Sequence, residues 1–311
     1  MKKVVVTGSI AYDHLLTFDG EFKDTVLPEQ LSNLSISFLA SSHQTNFGGC
    51  GANIAFSLKM LGEEPLLLGV VGNDFEPYAN WLDQNGISRQ ALLIDHEKPS
   101  AVANVLSDQT QNQIAIFSPA AMGRVELLPG IDAAEPDELA MAIISPEMPE
   151  RMKYYAGYFK KMELPFIFDP GQAMPALSSE DLLDFIDAAF GVMLNEYEAE
   201  MLAQKTGLSL LEIASRLEFL VCTLGSRGTI LYHGDNVVEI PAAKDLSVVD
   251  PTGCGDAFRA GFIKGLVNSE GLKRACELGT VAASFSLERE GTQNHLFTPE
   301  EFEQRLVENF A

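Results

Sequence analysis

Residues 250–262, which read DPTGCGDAFRAGF, contain the residue types that phosphoryl chemistry requires. Gly253 and Gly255 let the backbone approach a ligand closely with its N–H groups turned outward. Apolar residues at helical spacing follow them, so the positive end of a helix dipole is expected at the same place. Asp256 lies at the rim of this expected anion hole, where its carboxylate can take a proton from an attacking hydroxyl. A plain helix N-cap would account for Asp256 alone and would leave the glycines and Ala257 unexplained.

A second glycine-rich stretch, residues 48–62, reads GGCGANIAFSLKMLG. Its apolar residues follow helical spacing, and Gly62 is a typical helix end. Gly49 brings bare backbone near a ligand, and Asn53 in the first turn offers an amide to sugar hydroxyls. A glycine-rich loop before an ordinary helix would have the same pattern, so this stretch alone leaves both interpretations open.

Three polar clusters each follow an apolar run that is predicted to be a buried strand. Ligands bind at the carboxyl ends of the strands in open α/β sheets, so these clusters are candidate ligand positions. They are Asp169 to Gln172 after PFIF, Asn195 to Glu198 after GVML, and Thr223 to Gly228 after FLVC. Each cluster alone is equally typical of an Asx turn, a helix cap or a tight turn.

Alternating strands and helices must position these residues. Val4 to Val6 form a predicted first strand that ends at Gly8 and Ser9, and from Pro65 onward continuous apolar runs alternate with helical patterns. Such runs are typical of a mostly parallel sheet covered by helices on both faces. The closing segment PEEFEQRLVENF is a predicted amphipathic helix on the outside, and Trp81 in the helix FEPYANWLDQNG is interpreted as packing.

Two segments depart from this alternation. Residues 31–40 look like a strand with Ile36 and Phe38 on one face, and Ser100 to Phe117 predict a hairpin with a polar turn at 108–111. We therefore predict a small β-sheet lid from residues 14–45 and 98–117. The α/β domain would comprise residues 1–13, 46–97 and 118–311.

Composition narrows the function classes. The chain has 311 residues, 46% of them hydrophobic, and no apolar run reaches the roughly 18 residues of a membrane span. The net charge of −23, from 44 acidic and 21 basic residues, argues against nucleic-acid and anionic-membrane partners, although not against ATP. The apolar start MKKVVVTG is too short for a signal peptide, and four scattered cysteines indicate neither disulfides nor a zinc site, so we expect a cytoplasmic protein.

The two glycine-rich stretches resemble the two signatures of the PfkB (ribokinase-like) family of sugar and nucleoside kinases, and their separation is that of the family. The resemblance implies an α/β fold of ribokinase type with a small β-sheet lid. It also implies that Asp256 is the catalytic base. The backbone at Gly253, Cys254 and Gly255 would then hold the transferring phosphoryl group.

The strand-end clusters resemble further family motifs. Asn195 to Glu198 looks like the N-x-x-E motif, which implies that Asn195 lies at ATP and that Glu198 acts on Mg²⁺ indirectly. The family's nucleotide-binding turn is resembled by the segment with Thr223, Gly225 and Gly228. Residues 291–293, GTQ, lie where the family closes its nucleotide and monovalent-cation (K⁺) region.

A finer resemblance, to bacterial adenosine kinases, extends over nearly the whole chain. It is carried by TGSIAYDHLL, Pro28-Glu29, LSISFL, FSPAAM, DPGQ and GTQ. It implies ATP with Mg²⁺ as the phosphoryl donor and the 5′-hydroxyl of adenosine as the acceptor. By position, the ribose would be held by Ser9, Asp13, Gly49 and Asn53, and the base would lie near Phe117 and Gln172.

Specificity depends on the lid. The hairpin residues Val102, Ala103, Ile116 and Phe117 suit a flat apolar ring better than sugar hydroxyls. Residues 101–103, AVA, lack the aromatic side chain that such enzymes can place there, so a looser pocket or another purine nucleoside stays open. We also expect the lid sheets of two subunits to pair as a homodimer, because an exposed sheet edge invites pairing.

Two other functions stay open. A ribokinase-like sugar kinase would carry the same two signatures, and a non-catalytic nucleoside-binding protein would share the fold. The intact Asp256 and N-x-x-E motif argue against the second. A Rossmann dehydrogenase is excluded, because no G-x-G-x-x-G follows the first strand.

Overall fold

The computed structural model describes residues 2–25, 35–110, 112–130 and 134–310. The strands are β1 (Lys3–Thr7), β2 (Ala11–Phe18), β3 (Ala40–Gly48), β4 (Glu64–Val71), β5 (Leu92–Ile94), β6 (Ala101–Ser107), β7 (Gln113–Ser118), β8 (Leu139–Ile144), β9 (Phe166–Phe168), β10 (Gly191–Asn195), β11 (Phe219–Thr223), β12 (Thr229–His233) and β13 (Asn236–Ile240). The helices are α1 (Phe22–Thr25), α2 (Cys50–Met60), α3 (Glu76–Gln84), α4 (Pro149–Lys161), α5 (Ser179–Ala188), α6 (Glu196–Thr206), α7 (Leu210–Ala214), α8 (Cys254–Val267), α9 (Leu272–Leu287) and α10 (Pro299–Phe310).

The larger sheet has the strand order β13-β12-β11-β10-β9-β8-β1-β4-β5. The strands from β11 to β5 in this order pair in parallel. At the other edge, β12 pairs antiparallel with β11, and β13 pairs antiparallel with β12. Parallel neighbours need crossover connections, and the helices between the strands provide them. The predicted mostly parallel sheet is confirmed.

Helices cover both faces of this sheet. Successive side chains of a strand point to opposite faces, so an entirely apolar run needs cover on both. Within β1, Val4 and Val6 pack into the core under α2, α3, α8 and α9, whereas Val5 packs into the core under α4 to α7. All three valines are fully buried. In the described residues no helix has the length and apolar character to cross a bilayer.

The smaller sheet has the order β3-β2-β6-β7. The hairpin predicted from Ser100 to Phe117 is confirmed as antiparallel β6 and β7. The strand β2 begins three residues before the predicted lid segment 14–45, and β3 ends three residues after it. The exact domain boundaries stay a prediction.

The strand predicted at residues 31–40 is wrong where the structure describes it. Residues 31–34, like Pro28-Glu29, lie outside the described part, and residues 35–39 form no strand. Phe38 instead packs its ring against Phe18 and Phe22, with centroids 5.0 and 5.3 Å away. The real strand is β3, whose sequence ASSHQTNFG is largely polar and shows no apolar alternation.

Glycines bring α8 and α9 together. A Cβ on Gly261 would lie 2.5 Å from the Leu278 carbonyl oxygen, and one on Gly279 would lie 2.8 Å from the Phe258 carbonyl oxygen. Only residues without side chains allow backbones to approach so closely. This contact fixes the position of α8, which begins in the glycine-rich stretch around Asp256.

Candidate active site

The start of α8 has the geometry expected of an anion hole. Gly253 is the N-cap residue in a left-handed conformation with φ 77°, and a Cβ there would lie 2.9 Å from the Thr292 side chain. The 14-residue helix then begins at Cys254, whose N–H donates to the Pro251 carbonyl at 3.3 Å, and Gly255 follows it. The N–H groups in the first turn of a helix have no partner within the helix. A negatively charged group is stabilised in such a place.

Asp256 lies in this first turn and contacts the second glycine-rich stretch. Its Oδ2 accepts a hydrogen bond of 2.8 Å from Nδ2 of Asn53, which is buried in α2. Burial raises the pKa of Asp256 to about 7, while the nearby Arg259 guanidinium and the Asn53 amide oppose the rise. A carboxylate with a pKa near the working pH is well suited to accept a proton and release it again.

Asp13 faces the same place from the smaller sheet. A Cβ on Gly48 would lie 2.0 Å from the Asp13 carboxylate, so this residue lies directly against the loop before α2. Burial and the carboxylate of Asp250 raise the pKa of Asp13 to about 6, and Asp13 itself raises the pKa of Asp256. Asp13, Asn53 and Asp256 therefore meet where the smaller sheet joins the larger one.

Ser9 and Gly49 build the start of α2. The Ser9 hydroxyl oxygen accepts a 2.9 Å hydrogen bond from the Cys50 N–H, and its carbonyl accepts one of 3.0 Å from Gly51. Gly49 has φ 92°, and a Cβ there would lie 2.5 Å from the Ser9 carbonyl oxygen. Both residues thus shape the backbone beside Asn53, and their predicted ribose contacts stay predictions.

A cavity of about 520 Å³ opens on the other side of the α8 start. Three predicted nucleotide residues and two residues of the anion hole line it: Thr223, Gly225, Gly228, Cys254 and Gly255. No local sequence pattern predicts its apolar wall, which comprises Leu246, Val248, Phe258, Ala283 and Leu287. This wall comes from a loop and two helix faces that converge only in the fold. The cavity therefore has an apolar wall next to the start of α8.

Asn195 and Glu198 form a capping box at the start of α6. The Asn195 side chain accepts from the Glu198 N–H at 2.8 Å, and both Glu198 carboxylate oxygens accept from Asn195. Among the described residues, no group of three or more His, Cys, Asp or Glu is arranged to hold a metal ion. A single carboxylate such as Glu198 fits Mg²⁺ that is held mainly by phosphate groups and keeps most of its waters.

Arg259 is a functional candidate that sequence analysis missed. It is buried one turn beyond Asp256, and its Nη2 donates to Oδ1 of Asp169 at 2.5 Å. Its Nη1 donates to the Gly255 carbonyl at 3.0 Å. Arg259 therefore ties the anion-hole backbone to the end of β9. The sequence hint was a charged residue between the small and apolar residues 257–263 of this helix.

The register of the smaller sheet decides which lid residues face Asp13. Asp13 pairs with Ala103, and Ala103 pairs with Phe117, so these three side chains share one face. Val102 and Ile116 lie on the opposite face, which corrects their predicted part in a base pocket.

Phe117 is 44% exposed, and Gln172 is exposed in the short 3₁₀ turn Gly171–Ala176. Both stay predicted base contacts. Gln293 at the end of GTQ is buried, and its side chain points to Asn53.

Residues 1–299 match the sequence profile of the pfkB family carbohydrate kinases. The chain belongs to this family. A nucleoside kinase of Methanocaldococcus jannaschii is 30% identical over 98% of the chain and 97% of its own length. A ribokinase of Bacillus subtilis is 29% identical over 98% of the chain and 100% of its own length. The structure of a Burkholderia thailandensis nucleoside kinase in complex with inosine superposes with a TM-score of 0.88, at 33% identity, over 99% and 98% of the two chains.

Membership in the PfkB family confirms the resemblance that the two signatures indicated. The match covers nearly the whole length of these nucleoside kinases and of this ribokinase, and the ribokinase-like fold is confirmed. The protein is thus an ATP-dependent phosphotransferase of the nucleoside kinase and ribokinase type. Its acceptor is a separate question, because sugars and nucleosides both present ribose-like hydroxyls.

Proposed function

We propose that this PfkB protein is a purine nucleoside kinase that transfers the γ-phosphoryl group of ATP to the 5′-hydroxyl of adenosine. One observation carries the proposal. Asp256, Asn53 and Asp13 converge between the lid sheet and the anion hole, and the apolar cavity lies on the far side of the same helix start. An acceptor hydroxyl at Asp256 would thus lie next to a donor phosphate at Gly253 to Gly255.

The residues of the chain divide the work of phosphoryl transfer, which needs alignment and charge stabilisation more than covalent help. Asp256 takes the proton of the 5′-hydroxyl as the oxygen attacks the γ-phosphorus, and the bond from this phosphorus to the bridging oxygen breaks so that ADP leaves. The N–H groups at Gly253, Cys254 and Gly255 stabilise the negative charge on the transferring phosphoryl group. Arg259 holds this backbone in place through its bond to the Gly255 carbonyl.

Mg²⁺ supplies charge neutralisation on the ATP phosphates. Glu198 would orient it through water, because its own oxygens already accept from Asn195. We also infer a monovalent cation (K⁺) near residues 291–293 from the family resemblance. There, the Asp250 carboxylate accepts hydrogen bonds of 2.9 Å from the N–H groups of Thr252 and Gly291.

The acceptor assignment depends on what lies beyond the ribose. In the described part of the chain, the Asp13 carboxylate has no hydrogen-bond partner, so it is free to accept from vicinal hydroxyls. Phe117 stands on the same lid face, two strands away, and offers an exposed ring on which a base can stack. The inosine complex of the 33% identical relative supports a purine nucleoside. The ribokinase relative keeps a sugar kinase as the second candidate.

A substrate panel with ATP tests the proposal through ADP release. We expect kcat/KM for adenosine to exceed that for ribose or fructose at least about tenfold, because burying a base should contribute more than about 1.4 kcal/mol. Inosine belongs in the panel, since the small residues 101–103 leave room for other purines. Phe117→Ala should raise the adenosine KM and leave slow ribose turnover nearly unchanged. Ribose equal to or better than adenosine would make the protein a sugar kinase.

We also infer that two copies associate through their lid sheets. The lid face opposite Asp13 carries Ile114 and Ile116, which are 41% and 65% exposed. Two exposed isoleucines on neighbouring rungs of one strand form an apolar stripe that a second copy would cover.

A further inference from the structure

A buried hydrogen-bond chain leads from the only tryptophan of the protein to Asp256. Gln293, 2% exposed, lies at its centre in the segment between α9 and α10. Its Nε2 donates to Oδ1 of Asn53 at 2.9 Å and to the Tyr78 hydroxyl at 2.7 Å. Its Oε1 accepts from Nε1 of Trp81 at 2.9 Å. The amide oxygen and the amide nitrogen of Gln293 therefore both have hydrogen-bond partners.

The partners fix which way each amide points. An indole N–H can only donate, so the oxygen of Gln293 must face Trp81 and its nitrogen must face Asn53. The Tyr78 hydroxyl donates its proton to the Gly48 carbonyl at 2.7 Å, so it must accept a hydrogen bond from Gln293. This contact independently requires the nitrogen of Gln293 to face Tyr78 and Asn53. Asn53 must then present its oxygen to Gln293. Its nitrogen is left to donate to Asp256, at 2.8 Å.

The sense of the Asn53 amide matters to a base. A donated N–H stabilises the ionised carboxylate, which is the form that accepts a proton. With the amide reversed, the Asn53 oxygen would face the carboxylate oxygen, and the protonated form would be favoured instead. An asparagine without fixed partners can adopt either sense at little cost, because its two ends have nearly the same shape.

We propose that Gln293, held by Trp81 and Tyr78, is a positioning residue that keeps the Asn53 amide donating to Asp256 and so keeps the catalytic base ionised. The proposal rests on the proposed role of Asp256 as the base. By this proposal, residues 291–293 act on the acceptor side of the site through Gln293, and Trp81 orients Gln293 in addition to packing. Trp81 also stacks on Phe47, with ring centroids 5.4 Å apart, which holds the indole in place.

Other charged and titratable groups around Asp256 act on it as well. Those that face it from the neighbouring elements are Arg259 on α8, Asp169 after β9, Asp13 on β2, Cys50 at the start of α2 and Cys254 at the start of α8. None of them is part of the chain from Trp81 to Asn53. A substitution at Gln293 therefore alters none of these five side chains.

The pH dependence of kcat/KM with adenosine tests the proposal, because its acidic limb reports the base of the free enzyme. Gln293→Met keeps the length of the side chain and removes both amide ends. We expect the acidic limb to move to higher pH by about 1 to 2 units, the value of one lost hydrogen bond to the charged form. Trp81→Phe should move it in the same direction by less, because Tyr78 still orients Gln293.

Ser57→Ala is the matched control. Ser57 lies one turn beyond Asn53 on α2, and its hydroxyl contacts Nε2 of His295 at 3.1 Å. This bond also joins α2 to the segment that carries Gln293, and it is equally buried, but it does not lead to Asp256. The control should cost stability as Gln293→Met does and leave the acidic limb in place. A merely structural role of Gln293 would make the two variants alike.

The single indole N–H signal in a ¹H–¹⁵N spectrum provides a readout besides activity. In the unaltered protein it should exchange slowly with solvent, and in Gln293→Met it should shift and exchange faster. If that signal changes while the acidic limb stays in place, and Asp256→Asn is inactive, the positioning role is wrong and the base assignment stands. If Asp256→Asn is active, the base assignment itself is wrong.

Discussion

Asp256 and Asp13 are both carboxylates whose pKa is raised, to about 7 and about 6. Burial is the main cause for each, and each lies near another acidic group. Carboxylates with raised pKa values of this kind cluster at functional sites, where the group accepts or donates a proton during the reaction. In this protein the two carboxylates would share the ribose and the reacting hydroxyl of one acceptor.

The first prediction concerns turnover. Asp256→Asn keeps the shape of the side chain and removes the base, so kcat should fall at least about 100-fold. Nucleotide binding and the circular dichroism spectrum should be unchanged, because Asp256 does not line the cavity proposed for the nucleotide. Steady-state kinetics at saturating adenosine provide the measurement, and near-normal turnover would contradict the assignment.

The second prediction concerns stability. Because the folded-state pKa of Asp256 is raised above its ordinary value of 3.8, the folded state binds this proton more tightly than the unfolded state. The resulting stabilisation is fully present below the ordinary pKa and is lost as pH rises through about 7. Asp256→Asn should therefore unfold at a higher temperature than the unaltered protein near pH 8, and the difference should vanish towards pH 4.

Calorimetry at several pH values tests this stability prediction. Asp235→Asn, in the exposed turn between β12 and β13, is the control and should show no such pH-dependent gain. A destabilised Asp256→Asn at high pH would mean that the ionised carboxylate contributes to folding rather than opposing it.

At the scale of elements, the proposed function requires α8 to be placed so that its first turn can meet both substrates. Its close contact with α9 depends on Gly261 and Gly279, and its start is tied to β9 by Arg259 and Asp169. Small displacements of a helix that carries both the anion hole and the base would separate the reacting groups. We therefore expect the packing of α8 against α9 to affect turnover as well as stability.

The third prediction follows from this packing. Gly261→Ala places a Cβ against the backbone of α9, so it should lower the free energy of unfolding by about 1–3 kcal/mol and reduce kcat as well. Gly157→Ala in α4 is the matched control, since a Cβ there meets no atom within 4 Å. That change should be neutral or stabilising by up to about 1 kcal/mol. Urea unfolding of both variants gives the comparison, and equal effects would contradict the prediction.

At the scale of the whole molecule, the lid sheet has one face that carries Asp13 and an opposite face that points away from it. The strand pairing sends Asp13 and Phe117 to the first face and Ile114 and Ile116 to the second. A net charge of −23 disfavours unspecific association between copies, so a contact between them needs a defined apolar surface. The second face of the lid provides one.

The fourth prediction is a homodimer through this face. Light scattering at micromolar concentration should give about twice the chain mass of 33.9 kDa. Ile116→Lys should shift the protein towards the monomer, because a charge would be buried in the contact. Ile94→Lys, at a similarly exposed isoleucine on β5 of the larger sheet, should not. A monomeric unaltered protein would contradict the prediction.

Local patterns in the sequence were sufficient for much of the fold. The helical periodicity of PEEFEQRLVENF predicted α10 at its observed bounds, and the apolar runs predicted β1, β4 and β8 to β11 to within a few residues. Glycines before an apolar helix predicted the starts of α2 and α8, since left-handed conformations and close approach require glycine at these positions. Such features depend on neighbours in the chain, and a single sequence contains them.

Other features were decided only by the tertiary structure. The polar strand β3 exists because β2 pairs with it, and its own residues show no alternation that would predict it. The faces of Phe117 and Ile116 follow from the register of β6 and β7, which no local pattern encodes. The contact of Gln293 with Asn53 spans 240 positions, and that of Arg259 with Asp169 spans 90. Each joins polar groups whose partners are chosen by the packing of whole helices and strands, because a buried donor must find its acceptor wherever the fold brings one close.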